Sequence, residues 1–237
     1  MSFTRALPVV AHVREHRSLL AESEKRALIW IAGRLPARIN SDHLSALGLL
    51  SMLAAGIAFA TFRFTPWAAV AVIAALVANW FGDSLDGTVA RVRGQQRARY
   101  GFYVDHVIDL AGTTLLLAGL ACSGLMSPTL AAMLLAAYLL VSGEAYLATH
   151  AAGVFRMSFL GFGPTELRIV LAIGTLKVAS SASISVGTLG TVRLFDLGGI
   201  AAIAGLTVAF VVAAVRNTRA LYAAEPLPAP TCGSRAA

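Results

Sequence analysis

Six long apolar runs dominate the chain, at roughly 44–62, 66–82, 103–124, 129–150, 165–185 and 194–215. Most are close to the ~20 residues that cross a bilayer as a helix. They predict an all-α, polytopic membrane bundle of six transmembrane helices. The fifth run has the least defined ends, because it carries Arg168 and Lys177 and passes into a Ser/Gly-rich stretch. Ahead of the first run, Ser18–Arg34 mixes Leu19, Leu20, Leu28, Ile29, Trp30 and Ile31 with Glu22, Glu24, Lys25, Arg26 and Arg34. That mixture suits an amphipathic helix lying in the inner interface, with a plain soluble lead-in helix as the alternative. Asn40-Ser41-Asp42 supplies N-cap chemistry where the first span should begin. The tail beyond Val215 is rich in Pro and small residues, which predicts disorder. The organisation expected is a cytoplasmic N-terminal segment over 1–43, one transmembrane catalytic domain over 44–218 and a disordered cytoplasmic tail over 219–237, with no internal repeat. No signal peptide is expected, since Arg5, Arg14, His16 and Arg17 break the first twenty residues.

Composition agrees with the pattern: 57% of residues are hydrophobic, 13% are charged and the mean hydropathy is +0.74. Sixteen of the nineteen Lys and Arg fall before the first run, between runs two and three, around the start of run five, or after run six. Both termini are therefore expected on the cytoplasmic side of a cell membrane. The net charge of +7 then reflects topology and contact with anionic lipid, and no nucleic-acid partner is implied. Cys122 and Cys232 should lie at opposite membrane faces, so neither a disulfide nor a zinc site is expected.

Against this apolar background, four of the six aspartates fall within twenty-seven residues. They lie in Asp83-Ser-Leu-Asp86-Gly87-Thr-Val-Ala90-Arg91 and in Gly101-Phe-Tyr-Val-Asp105-His106-Val-Ile-Asp109. A carboxylate left in hydrocarbon costs roughly 2.5–3.5 kcal/mol or more, so clustered acids demand cations. On helices, Asp83 and Asp86 share one face and Asp105 and Asp109 another, and two antiparallel helix ends can aim all four at one point. Hard oxygen ligands select Mg2+, Mn2+ or Ca2+. Gly87 and Ala90 strip the helix face beside the acids, which either admits a bulky ligand or allows close helix packing. Arg91 adds a planar fork suited to phosphate, though an arginine there also serves as a membrane anchor.

These two segments resemble the signature of the CDP-alcohol phosphotransferase family, D-x2-D-G-x2-A-R, a spacer, then G-x3-D-x3-D. Every fixed position is filled, and the spacer from Val92 to Tyr100 is one residue longer than expected. The resemblance implies transfer of a substituted phosphate from a CDP-linked donor to an acceptor hydroxyl, with release of CMP. One partner is then a lipid and the active site faces the cytoplasm between spans two and three. It also implies that Asp83, Asp86, Asp105 and Asp109 hold two divalent ions, Mg2+ or Mn2+, with Asp109 as general base. Gly87, Ala90, Arg91 and Gly101 would then bind the substrate. A homodimer is compatible with this reading.

His106 is a second candidate base, because an imidazole titrates near cytoplasmic pH. A His after the third Asp, with Glu144-x-Tyr146, Gly153 and Gly163-Pro164-x-Glu166, is more loosely similar to the choline and ethanolamine phosphotransferase branch. CDP-diacylglycerol and a CDP-aminoalcohol both stay open as donors. Two other classes fit less well. Membrane prenyltransferases pair aspartate motifs in well-separated helix pairs, which leaves Gly87, Ala90 and Arg91 unexplained. A cation transporter would place its acids near mid-span, often in a repeated half.

Overall fold

The computed structural model describes residues 21–152, 164–180, 183–185, 191–225 and 227. Seven helices and one short hairpin make up the described residues: α1 (Ala21–Ala32), α2 (Ser41–Ala60), α3 (Ala68–Val92), α4 (Ala98–Cys122), α5 (Pro128–Ala152), α6 (Pro164–Ser180), strands β1 (Ser183–Ser185) and β2 (Thr191–Arg193), and α7 (Leu194–Ala224). The strands pair antiparallel, with Ile184 opposite Val192.

Five helices, α2, α3, α4, α5 and α7, are long and apolar enough to cross a membrane. The fifth expected span is shorter than its apolar run: α6 has 17 residues, and 183–185 form strand β1. Helices α3 and α4 run past the apolar segments expected of them, since the polar stretches 83–92 and 98–102 are helical too. Helix α7 likewise continues through Ala224, into the stretch expected as a tail. Asn217 there donates to Glu144 Oε1 of α5 at 2.6 Å, which ties the extension to the bundle.

Helix α2 begins as its N-cap chemistry predicts: Asn40 Oδ1 accepts from the His43 N–H at 3.0 Å, and His43 Nδ1 accepts from the Asn40 N–H at 3.3 Å. It is the central support, with α3 and α4 both packed along it and almost no direct contact between those two. One apolar cluster fills the far half, where Phe59, Val72, Leu76, Leu116, Leu120 and Met126 are buried and Phe195 meets the Phe59 ring edge-on at 5.8 Å. A smaller cluster joins Leu28 and Ala32 of α1 to Leu44, Leu85 and Val89. Ile29 and Trp30 on the other side of α1 are exposed, so the helix is two-faced where it is described; 18–20 of the expected segment lie outside the described residues. Glu24 fastens α1 in place, accepting from Trp80 Nε1 at 2.7 Å and Thr165 Oγ1 at 3.0 Å.

Candidate active site

Helix α3 carries the first half of the aspartate signature and stops soon after it. Gly94 takes φ 64, and the Gly94 and Gln95 N–H groups donate to the Arg91 and Ala90 carbonyls at 3.2 and 2.9 Å. This Schellman closure needs a left-handed residue just past the cap, which glycine adopts without strain. Only 93–97 separate α3 from α4, so the spacer's extra residue falls in a closed turn. The turn is pinned to the start of α2: Arg93 donates to the Ile39 and Leu35 carbonyls at 2.5 and 2.8 Å, and Arg97 pairs with Asp42.

Below the turn, α3 and α4 both pack on α2 and carry their acids near one another. Asp109 lies within electrostatic reach of Asp83, Asp105 and Asp86, and Asp86 within reach of Asp105 and Asp83. Four carboxylates repel one another at that range and hold together only with compensating donors or cations. Part of the compensation comes from other helices. Ser45 of α2 donates to Asp86 Oδ2 at 2.6 Å. Arg168 of α6 reaches Asp83 Oδ2 with Nη2 and Asn79 Oδ1 with Nε, the latter at 2.8 Å. The donor set suits a hard divalent cation, and Asp105, His106 and Asp109 each offer a ligand atom within 4.8 Å of the others.

The remaining candidates divide by environment. His106 is buried, its ring 4.2 Å from that of Phe102 and stacked 5.1 Å from Tyr146 of α5, so it faces a neighbouring helix. Its Nδ1 lies 3.4 Å from Asp105 Oδ2. Around Gly87 the packing is loose, since among the described residues a Cβ there would meet only the Arg91 guanidinium, at 3.3 Å; at Gly101 none of them stands within 4 Å. Ala90 is half-buried and Arg91 is exposed, with Nη2 donating to Thr88 Oγ1 at 2.9 Å. Glu144 and Tyr146 are on α5, whereas Gly153 and Gly163 lie outside the described residues.

With this geometry in hand, the family model for CDP-alcohol phosphatidyltransferase matches residues 42–215, which is most of the chain and includes every aspartate of the cluster. The chain belongs to the CDP-alcohol phosphatidyltransferase family. No curated protein matches the sequence. Membership makes it a phosphotransferase of lipid metabolism in a membrane. The matched region also takes in three residues around the acids that the signature leaves out: Ser45, Asn79 and Arg168. Nothing in spacing singles out Ser45, one of three serines in an apolar helix. Arg168 did carry a signal, because a charge inside an apolar run must find a partner.

Beside the site, α3 and α6 flank an apolar groove of about 270 Å³ lined by Ile73, Leu76, Val77, Trp80, Ile169 and Ala172 together with Thr165 and Arg168. Arg168 thus borders both the groove and the acids.

Proposed function

We propose that this enzyme transfers a substituted phosphate from a CDP-linked donor to an acceptor hydroxyl and releases CMP. In this reading the lipid partner lies along the α3–α6 groove. The observation that carries the reading is the set of four carboxylates on α3 and α4 that act electrostatically on one another, beside an apolar groove between α3 and α6. An apolar groove beside acids and an arginine suits a molecule with hydrocarbon chains and a phosphate head.

Asp83, Asp86, Asp105 and Asp109 would hold the two divalent ions, Mg2+ or Mn2+. Bound there, such ions neutralise phosphate charge and lower the cost of ionising a hydroxyl. Gly87 and Ala90 would leave room for the nucleotide, which agrees with the absence, among the described residues, of protein backbone opposing a side chain at Gly87. Arg91 is exposed above them and suits the donor phosphates, and Gly101 keeps the opposite wall open. Asp109 is assigned as base, one turn from Asp105 on the same face of α4, while His106 is buried with its ring against Phe102 and stacked on Tyr146. Helix α6 is at the lower limit of spanning length and would complete a six-span bundle, with both termini and the site on the cytoplasmic side.

The test is CMP release from purified protein given CDP-diacylglycerol, CDP-choline or CDP-ethanolamine with Mg2+ or Mn2+ and a panel of acceptor alcohols. Release with one donor class assigns it. Asp83→Asn, Asp86→Asn and Asp105→Asn should each cut that rate below about a tenth while the protein stays inserted and folded. A variant that keeps more than this removes its residue from the metal set.

A further inference from the structure

The contact least accounted for by the family signature is Arg168. Its guanidinium spans an i, i+4 pair on α3, with Nε on Asn79 Oδ1 at 2.8 Å and Nη2 on Asp83 Oδ2. Asn79 is buried and its own Nδ2 donates to the Gly48 carbonyl at 3.0 Å, so the amide oxygen is committed to Arg168. The arginine side chain is 15% exposed and that of Asp83 24%, so their charges are only partly screened by solvent. The same charge acts favourably on Asp109.

Resting on the metal reading above, we propose that Arg168 is a built-in competitor for metal at Asp83, an internal counter-ion that a divalent cation must displace from the carboxylate. An oxygen bonded to a guanidinium N–H shares its lone pairs with that donor, and a divalent ion at coordination distance would face the guanidinium charge directly. Arg168 also borders the α3–α6 groove, the space into which a displaced side chain would turn. The arginine therefore keeps the acid cluster tolerable without metal and weakens the cluster's hold on it. Metal loading would then turn a cation toward the groove.

The test is Mn2+ binding to full-length protein in detergent, followed by electron paramagnetic resonance of free Mn2+, with thermal unfolding alongside. Arg168→Gln should bind Mn2+ about tenfold more tightly than wild type, an ordinary scale for coupling between two sites. It should melt lower than wild type without metal and gain more from saturating Mn2+. Arg168→Lys keeps the charge and should stay within about threefold of wild type. Should Arg168→Gln not fold, Asn79→Leu releases one anchor of the guanidinium and should also tighten Mn2+ binding. Wild-type protein that binds Mn2+ while neither substitution tightens it overturns this inference alone. Wild-type protein that binds no Mn2+ overturns the metal reading and the inference together.

Discussion

Ser45 gives the sharpest way to ask whether Asp86 serves as an ionised ligand. Its hydroxyl has a single hydrogen and two acceptors within reach, Asp86 Oδ2 at 2.6 Å and the Ser41 carbonyl at 3.2 Å. The shorter contact goes to the charged group, so the proton is spent on Asp86. A hydrogen bond to a charged partner contributes about 1.5–3 kcal/mol. Ser45→Ala removes it while deleting one buried oxygen and no packing carbon. The loss falls on the ionised, correctly turned carboxylate, so metal affinity should drop about 10- to 100-fold, the usual range for partners of metal ligands. CMP release measured against Mg2+ concentration should show the half-saturating concentration rising by that factor, with the maximal rate nearly restored at high Mg2+. Thermal unfolding without metal should also register the lost bond, about 1.5–3 kcal/mol of stability. An unchanged Mg2+ dependence would refute the reasoning, and Asp86 would then owe its position to the α3 backbone alone.

Three further outcomes are expected. Gly87→Leu should weaken CDP-donor binding, read by titration calorimetry, far more than Mn2+ binding, because the new side chain enters space bounded, among the described residues, only by Arg91. Gly119→Ala should lower stability in thermal unfolding by about 1–3 kcal/mol or more, since its Cβ would sit 2.0 Å from the Gly56 carbonyl oxygen, a backbone atom that cannot swing aside. Asp109→Asn should lower the maximal rate by orders of magnitude and His106→Ala should cost less; the reverse ranking in steady-state CMP release would make His106 the base.

How far the sequence could be read depended on whether a feature is local. The spacing of Asp83, Asp86, Asp105 and Asp109 fixes their helical faces without any tertiary information, and Asn40 sets the start of α2 by a bond three residues away. Element ends were less legible. Hydropathy marks where hydrocarbon can surround a helix, not where hydrogen bonding stops, so α3 and α4 continue through polar residues held by contacts to α2 and its approach. Arg168 looked like a flaw in an apolar run because its partners, Asn79 and Asp83, are nearly ninety positions away in the chain. Tyr146 and His106 both stand out in the sequence, but their ring stacking across forty positions could not be read from spacing.

The signature's spacing places acids on faces, yet it does not set the width of the gap between them. That width follows from glycines outside the signature. Helix α3 approaches α2 at Gly82, where a Cβ would lie 2.6 Å from the Leu44 carbonyl oxygen and 2.7 Å from the Gly48 nitrogen. On the other side, α4 approaches at Gly119, against Gly56. Each acid-bearing helix is thus seated on the same third helix through a contact only glycine permits, and α3 and α4 need not touch. Separation by a shared support leaves an opening between them where direct packing would have closed it. A side chain at Gly82 would push α3 off α2 beside Asp83 and Asp86, and one at Gly119 would push α2 away from α4, the helix that carries Asp105 and Asp109. Either shift alters distances between the pairs while leaving each pair's own i, i+3 or i, i+4 geometry intact. If the acids hold metal as proposed, ligation within one helix would survive a change that disturbs ligation across the gap, and the glycines would then matter to the site alongside the aspartates.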